Sequence, residues 1–206
     1  MAKELVIFDC DGVLFRSEDA NLAFYNEVMQ RLGQPRISDQ DQSACHALAS
    51  AQLFDRIFAG RPDLRDRARS IAQSLDYGPY YELMSPQRDL YEVLAALCAD
   101  YRLAMATNRG KTAAEVVKRF GLNPYIELTV GALDVAYPKP HPDMLERCLT
   151  YFRVDREKAL YVGDQQTDAA AAASAGVPFV AMGPAVTSAS HRIHALSDLL
   201  ALIPAL

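Results

Sequence analysis

The first continuous hydrophobic stretch of the chain ends abruptly at two acidic residues. Residues 5–8 (Leu-Val-Ile-Phe) are apolar without interruption and mostly β-branched or aromatic, which is typical of a short strand buried on both faces of a sheet. Asp9, Cys10, Asp11 and Gly12 follow directly. Because open α/β sheets place ligands at the carboxyl ends of their strands, we expect these two acids at the functional edge of the fold.

Residues 17–85 have a different pattern, in which apolar positions recur at helical spacing and no buried strand is predicted. The first such stripe runs through residues 22–32, and Ser17 is predicted to cap that helix. A second helix is predicted over residues 39–58, and a third begins at Pro62, a favourable first residue of a helix. This part of the chain is therefore predicted to be entirely helical.

From about residue 86 onward, strand and helix patterns alternate. Buried strands are predicted at 102–106, 126–130, 159–162 and 179–182. Helices are predicted at about 87–99, from Thr112 to Gly121, from Pro142, at 168–175, and as a short segment capped by Ser197. Thr112 and Glu115 have the spacing of a capping box.

This alternation predicts a parallel sheet with right-handed crossovers, because each strand is followed by a helix that returns the chain to the same edge. We therefore predict an α/β protein with a Rossmann-like parallel sheet in a three-layer α/β/α core. Residues 1–15 and 86–206 would form this core. Residues 16–85 would form an all-helical cap domain inserted directly after the first strand.

Composition excludes several classes of function. The chain has 206 residues, a formal net charge of -5 and a sequence pI of about 5.4, which argues against a nucleic-acid surface. It has no long apolar run and no signal-peptide pattern, so neither a membrane span nor secretion is expected. Its four cysteines are widely separated, which favours free thiols in a cytoplasmic protein.

Reactive side chains cluster at the predicted strand ends and in one proline-rich loop. They are Asp9 and Asp11, Thr107 and Asn108, Lys139 between two prolines, and Asp164 and Asp168. Since the carboxyl ends of parallel strands lie at one edge of a sheet, the topology brings these groups together.

The types of these residues match the requirements of phosphoryl transfer. Asp9, Asp164 and Asp168 supply the hard oxygen ligands that Mg²⁺ prefers, and a carboxylate beside a bound dication can attack phosphorus. Asp11 could protonate the leaving oxygen and then activate water. Thr107, Asn108 and Lys139 could bind the phosphoryl oxygens. The sequence therefore offers a residue for every role that phosphoryl transfer requires.

The chain resembles the haloacid dehalogenase superfamily of hydrolases, in its phosphoglycolate-phosphatase-like branch with a helical cap. The resemblance covers essentially the whole chain and is carried by Asp9-x-Asp11-Gly12-Val13, Thr107-Asn108, Lys139-Pro140 and Gly163-Asp164-x-x-x-Asp168. It implies that Asp9 is the nucleophile and Asp11 the general acid and base. Thr107 and Lys139 would hold the phosphoryl group, with Asn108 and Gly12 also at the substrate.

The same resemblance implies a magnesium ion held by Asp9, the Asp11 carbonyl and Asp164, with Asp168 binding it directly or through water. Two departures from the family pattern are visible. Gln165 and Gln166 follow Asp164 where small residues are common, and residues 85–87 (Ser-Pro-Gln) lack a Pro-Gly turn often present there.

The predicted function is Mg²⁺-dependent hydrolysis of a small phosphorylated metabolite, such as phosphoglycolate or a sugar phosphate, through an aspartyl-phosphate. A β-phosphoglucomutase-like enzyme stays open, although Asn21 stands where such mutases typically have histidine. A non-enzymatic receiver-type phospho-switch also stays open, although it needs neither a cap nor Asp11.

The predicted cap contains candidate substrate contacts, with solvated helix faces as the simpler interpretation. They are Asn21, His46, Arg56 and the arginines at 61–69. His191 and His194 have the spacing of a helical metal pair, but no third ligand is near in the sequence. The oligomeric state is left open.

Overall fold

The computed structural model describes residues 2–206 and has a six-stranded parallel sheet at its centre. Residue 1, the first of the predicted core segment, lies outside the described residues. In chain order the strands of this sheet are β1 (Leu5–Phe8), β4 (Arg102–Ala106), β5 (Leu128–Val130), β6 (Ala159–Gly163), β7 (Phe179–Met182) and β8 (His191–Ile193). The two short strands β2 (Phe15–Arg16) and β3 (Ser85–Pro86) pair with each other in antiparallel fashion.

Strand β1 lies in the middle of the sheet, whose spatial order is β5-β4-β1-β6-β7-β8. Phe8 at its end pairs with Met105 on one side and with Val162 on the other. The residues that follow β1, β4 and β6 therefore emerge side by side at one edge. This register brings three of the four predicted reactive segments together.

Nine helices surround or extend the sheet within residues 2–206. They are α1 (Glu18–Arg31), α2 (Asp39–Ala47), α3 (Ser50–Ile57), α4 (Pro62–Ser74), α5 (Leu90–Leu97), α6 (Ala113–Arg119), α7 (Asp143–Phe152), α8 (Gln166–Ala175) and α9 (Asp198–Leu202). Helices α1–α4 and the 3₁₀ turn at Gly78–Leu83 occupy the chain between β2 and β3, and we call this part the helical insertion. The paired strands β2 and β3 form its two connections to the rest of the chain.

Both faces of the sheet are buried, as the continuous hydrophobic runs predicted. Val6 and Phe8 pack on one face in the larger core cluster, which continues into the helical insertion. Leu5 and Ile7 pack on the other face, against residues of α7 and α8. The alternation arises because successive side chains of a strand point to opposite faces. The predicted fold class, an α/β Rossmann-like sheet with a helical insertion, is confirmed.

The single helix predicted over residues 39–58 was wrong, because the chain forms two helices there. Leu48 and Ala49 both have extended backbone, with ψ of 149° and 150°. The Gln52 side chain accepts a hydrogen bond from the Ala49 N–H at 2.9 Å, which starts α3. The carbonyl oxygen of Ala47, at the end of α2, accepts a hydrogen bond from Asn108 at 2.9 Å. The break therefore turns a helix end toward the sheet edge.

Three residues occupy the N-cap positions predicted for them, but none makes a side-chain capping hydrogen bond; they are Ser17, Thr112 and Ser197. The Ser17 hydroxyl donates to Asp11, and Glu115 accepts a hydrogen bond from the Tyr81 hydroxyl at 2.8 Å. At the start of α9 it is Asp198, in place of Ser197, that accepts hydrogen bonds from the backbone. The partners of Ser17 and Glu115 lie outside their own helices, whereas Asp198 accepts from backbone N–H groups just before its own helix.

The carboxyl-terminal part contains one strand that the sequence did not predict. His191 is the first residue of β8, so His191 and His194 are not a pair on one helix face. The other predicted strands agree closely, although β5 begins at Leu128 and β6 extends to Gly163. The four cysteines are free, as expected from their spacing. Among residues 2–206 there is no helix with both the length and the apolar character needed to cross a membrane.

Candidate active site

The predicted reactive residues lie at the carboxyl edge of the sheet, around the end of β1. Asp9 follows β1, Thr107 follows β4 and Asp164 follows β6, while Lys139 reaches the same point from the loop before α7. Asp9 and Thr107 are anchored by their backbone N–H groups, which donate to the carbonyl oxygens of Val162 and Val130. The sheet ladder thus continues one residue beyond the strands and fixes the starting point of each loop.

Lys139 is the centre of a buried polar network, with only 1% of its surface exposed. Its Nζ lies 2.8 Å from Asp9 Oδ1 and 2.7 Å from Asp168 Oδ1. It also donates hydrogen bonds to the Tyr161 hydroxyl at 2.9 Å and the Ala106 carbonyl at 3.2 Å. Burial opposes the charge of this ammonium, but the two carboxylates outweigh burial and raise its pKa. Lys139 is therefore a charged lysine beside Asp9.

Asp168 has partners for both of its carboxylate oxygens. Oδ1 accepts hydrogen bonds from Lys139 at 2.7 Å and from the Tyr161 hydroxyl at 2.8 Å. Oδ2 accepts the backbone N–H groups of Asp164 at 3.1 Å and Gln165 at 2.9 Å. This arrangement orients Lys139 and shapes the turn before α8. It favours a positioning role for Asp168 over direct metal ligation, which stays a prediction.

Asp9, Asp164 and Asp168 form an acidic cluster in which one carboxylate oxygen of each lies within 4.8 Å of the others. Asp164 Oδ1 is buried and accepts no hydrogen bond from any residue between 2 and 206, whereas Asp9 Oδ1 has the Lys139 ammonium 2.8 Å away. Burial and the neighbouring carboxylates raise the pKa of Asp9 to about 7 and that of Asp164 to about 8. Carboxylate oxygens that repel one another, one of them buried without a donor, suit a divalent cation. The residues therefore fit a metal ion here.

Two glycines allow the acidic residues to approach the backbone. Gly12 has φ of +80°, and a Cβ at this position would lie 2.2 Å from an Asp164 oxygen. Gly163 would place a Cβ 2.4 Å from that of Asp168. A side chain at either position would displace a carboxylate of the cluster. Gly12 thus contributes by letting the loop after β1 pass against Asp164, and its predicted substrate contact stays a prediction.

Asp11 has a different environment from Asp9. Arg109 binds its carboxylate with two hydrogen bonds, from Nε to Oδ2 at 2.8 Å and from Nη2 to Oδ1 at 2.6 Å. Ser17 and Asn21 also donate to Oδ1. Burial would raise the pKa of Asp11, but the guanidinium and these hydrogen bonds outweigh it and leave the pKa below its ordinary value. The two acids that the sequence places two residues apart are therefore electrostatically distinct.

Thr107 and Asn108 occupy the loop between β4 and α6. Thr107 is buried, and its hydroxyl accepts a hydrogen bond from the Arg109 backbone N–H at 3.2 Å. The Asn108 amide donates to the carbonyl oxygens of Ala47 at 2.9 Å and Lys139 at 3.2 Å. Asn108 thus joins three segments: its own loop, the end of α2 and the loop that carries Lys139.

A cavity of about 480 Å³ lies between this sheet edge and the helical insertion. Asp9, Asp11 and Lys139 line it from the sheet side, together with Thr107 and Asn108. Phe24 and Phe54 are among the apolar side chains that line it from the helices. The volume lies within the range of small-molecule sites, which are about 300–1,000 Å³. The cavity is therefore large enough for a small metabolite whose reacting group meets Asp9.

The candidate substrate contacts of the helical insertion divide into two groups. Asn21, His46 and Arg69 line the cavity. Arg56 forms an exposed ion pair with Asp41 at 2.9 Å, which agrees with the simpler interpretation of a solvated helix face.

Sequence reasoning missed three residues that the structure places in the site. Arg109 pairs with Asp11, Tyr161 bonds to Lys139 and Asp168, and the Gln165 amide donates to Asp164 at 2.6 Å. A signal existed for Arg109 and Gln165, because each directly follows a residue at a predicted strand end. Tyr161 gave none, because a tyrosine inside a hydrophobic strand resembles an ordinary core residue.

The fold and the site together define a hydrolase built on a Rossmann-like sheet, with an acidic centre under a helical layer. Residues 6–182 match the haloacid dehalogenase-like hydrolase family, so the chain belongs to this family and the predicted resemblance is confirmed.

Individual relatives agree with this assignment. A solved hydrolase of haloacid dehalogenase subfamily IA from Geobacter sulfurreducens is 34% identical, with a TM-score of 0.76 over 98% of this chain and 96% of that one. A phosphoglycolate phosphatase from Rhodobacter capsulatus is 29% identical over 85% of this chain and 82% of its own length. Pyrophosphatase PpaX from Bacillus pumilus is 26% identical over 97% of this chain and 96% of its own length. These names support the phosphatase class within the family.

Proposed function

We propose that the protein is a Mg²⁺-dependent phosphatase that hydrolyses a small phosphomonoester through an aspartyl-phosphate on Asp9. The observation that carries the proposal is the position of Asp9, buried 2.8 Å from the Lys139 ammonium in an acidic cluster beside the cavity. A carboxylate in that position meets the phosphoryl group of a ligand whose other end lies against the helices. Lys139 offsets the charge that would otherwise repel the phosphate.

The proposed division of labour follows the chain. Residues 1–15 and 86–206 form the catalytic core, and residues 16–85 form a cap over the cavity. The cap supplies apolar walls such as Phe24 and Phe54, which exclude water from the reacting group. The core supplies the charged residues. Access to the cavity would then require movement at the paired connections β2 and β3.

In the first proposed step, an Asp9 oxygen attacks phosphorus and the bond to the leaving oxygen breaks. The Arg109 ion pair favours the ionised form of Asp11, so Asp11 must first take up a proton, as it does from water in the second step. It then gives this proton to the leaving oxygen, and the product leaves as a neutral alcohol. Lys139 and the Thr107 hydroxyl bind the phosphoryl oxygens, and Asn108 holds its loop against the end of α2. The product of this step is the aspartyl-phosphate.

In the second proposed step, water attacks the phosphorus of the aspartyl-phosphate. Asp11, now a carboxylate, accepts the proton of that water, and the electron pair of the broken bond returns to Asp9. Free phosphate then leaves. Asp11 therefore acts in both steps, which distinguishes a phosphatase from a switch that keeps its phosphoryl group.

Asp9 and Asp164 are the carboxylates proposed to hold Mg²⁺, together with the Asp11 carbonyl, and Asp168 is proposed to orient them. When bound, the ion would neutralise phosphoryl charge and relieve the repulsion between the carboxylates. The buried, unpartnered Asp164 Oδ1 and its closeness to Asp9 in the acidic cluster support this assignment.

The substrate class is proposed from the cavity and from the relatives. A cavity of about 480 Å³ suits a small phosphorylated metabolite. The relatives named phosphoglycolate phosphatase and pyrophosphatase make phosphoglycolate and inorganic pyrophosphate the first compounds to test, followed by sugar phosphates. A mutase would convert a sugar phosphate to its isomer without net phosphate release, and a receiver-type switch would retain the phosphoryl group.

The test compares the wild type with Asp9→Asn and with a control, Asp63→Asn, at an exposed residue of α4. Phosphate release is measured with these compounds and with an aryl phosphate, in Mg²⁺ and in EDTA. We expect Mg²⁺-dependent turnover in the wild type and the control, and none in Asp9→Asn, whose circular dichroism stays native. Unchanged turnover in Asp9→Asn would refute the proposal. Isomerisation without phosphate release would establish the mutase, and a stable phosphoenzyme the switch.

A further inference from the structure

Arg109 is a buried arginine at the candidate site that carries no role in the mechanism above. Only 8% of its surface is exposed, and it lies three residues after Ala106, the last residue of β4. Its side chain makes an ion pair with Asp11, with 2.6 Å between Nη2 and Oδ1. A buried arginine in such a fork geometry fixes both the position and the plane of the carboxylate it binds.

The four hydrogen bonds to Asp11 are divided unequally between its two oxygens. Oδ1 accepts three, from Ser17, from Asn21 at 3.3 Å and from Arg109 Nη2 at 2.6 Å. Oδ2 accepts one, from Arg109 Nε at 2.8 Å. Since an ionised carboxylate has about four acceptor positions in total, Oδ1 is saturated while Oδ2 keeps a lone pair. Oδ2 is therefore the oxygen that can take a proton from water.

Arg109 is itself held from several sides. Its guanidinium carbon lies 5.2 Å from the centroid of the Tyr77 ring, and Nη2 lies 3.4 Å from Met84 Sδ. Its backbone N–H donates to the Thr107 hydroxyl at 3.2 Å. A side chain restrained at both ends can act as a template for its partner. The ion pair is thus more than a way to neutralise two buried charges.

From these contacts we infer that Arg109 is a positioning residue that presents Oδ2 of Asp11 to the water of the second step. The inference rests on the proposed function. In that step the water oxygen bonds to phosphorus, its proton passes to Asp11 Oδ2, and the bond between phosphorus and the Asp9 oxygen breaks. Arg109 touches neither water nor phosphorus, and acts through Asp11.

The test measures the two steps separately with an aryl phosphate, whose leaving group needs no proton. The variants are Arg109→Met, Arg109→Lys and the control Arg119→Met. Arg119 also pairs with an acid, Glu82, and lies 5.0 Å from the Tyr81 ring, but within residues 2–206 it forms no ion pair with Asp11. Aryl alcohol release is followed in the first turnover, and the aspartyl-phosphate is trapped with acid.

In Arg109→Met we expect a steady-state rate at least tenfold below that of the wild type. The first turnover should release a burst of about one molecule of aryl alcohol per enzyme molecule, and the aspartyl-phosphate should accumulate. Arg109→Lys should be intermediate, because it keeps the charge and loses the fork, and Arg119→Met should match the wild type. In an Asp11→Asn background, Arg109→Met should cause no further loss.

Other outcomes would overturn the inference. A slower steady-state rate without a burst or accumulated phosphoenzyme would mean that the substitution impairs the first step as well. A rate within tenfold of the wild type would mean that Asp11 does not need Arg109 to position it. Thermal unfolding checks that each variant is folded. If Arg109→Met does not fold, the same measurements on Arg109→Lys decide the test. If the wild type itself forms no phosphoenzyme and releases no phosphate, the proposed function fails first, which is a distinguishable result.

Discussion

Replacing Lys139 with methionine would remove the ammonium group at the centre of the candidate site while keeping a long side chain. The change leaves Asp9 and Asp168 facing each other without the cation that now lies 2.8 and 2.7 Å from them. It also removes one donor to the Tyr161 hydroxyl and one to the Ala106 carbonyl. All four partners are buried, so water does not readily replace what is lost.

The expected cost follows from the general behaviour of buried ion pairs. Removing one partner of such a pair destabilises a protein by about 3–5 kcal/mol, because the remaining charge is buried without compensation. The two pairs share one ammonium, so we do not add their costs. For a chain of this length a loss of this size lowers the midpoint of thermal unfolding by roughly 6–20 °C.

The loss should depend on pH with a definite sign. Lys139 lowers the pKa of Asp9, which burial raises to about 7, so its removal moves that pKa further upward. A carboxyl group with a raised pKa keeps its proton in the folded state while the unfolded chain releases it, so stability falls as pH rises. Lys139→Met should therefore lose more stability at pH 8 than at pH 6.

The measurement is urea unfolding followed by circular dichroism, in EDTA so that no metal ion compensates. The matched control is Lys158→Met, which removes an exposed ammonium 2.7 Å from Glu4. Its midpoint should stay at the wild-type value, because exposed pairs are screened by solvent. A loss below about 1 kcal/mol in Lys139→Met, or an equal loss at both pH values, would refute the reasoning from burial.

Two further predictions concern the acidic cluster. Because burial and like charges raise the pKa of Asp9 to about 7 and of Asp164 to about 8, the metal-free protein should lose thermal stability as pH rises from 6 to 8.5. Mg²⁺ should restore it, and a midpoint indifferent to Mg²⁺ would argue against a metal site. Gly12→Ala should destabilise the fold by more than about 2 kcal/mol and weaken Mg²⁺ binding, since its Cβ would meet Asp164 at 2.2 Å. Gly33→Ala, also at positive φ but with no atom within 4 Å, is the control and should cost less by urea unfolding; equal costs would contradict the clash.

Much of the fold could be predicted from the sequence, because burial on both faces leaves a local signature. The run Leu5–Phe8 has apolar residues at every position, which happens when helices cover both sides of a strand. Its abrupt end at Asp9 indicated the functional edge. The prediction was weaker where local and tertiary preferences disagree. Ser17 has the features of a helix cap, yet its hydroxyl donates to Asp11, six residues earlier in the chain.

The tertiary structure alone decided how the charges are paired. Lys139 reaches Asp9 across 130 residues of chain, and Arg109 reaches Asp11 across 98, so neither pair leaves a local pattern. Tyr161 looks like a core residue in the sequence, and its hydroxyl bonds to Asp168 only because β6 and α8 meet at that edge. Residue types and strand ends thus determine which chemistry is available. The packing of loops determines which acid receives which cation, because charge pairing depends on distances of a few ångströms that sequence spacing does not set.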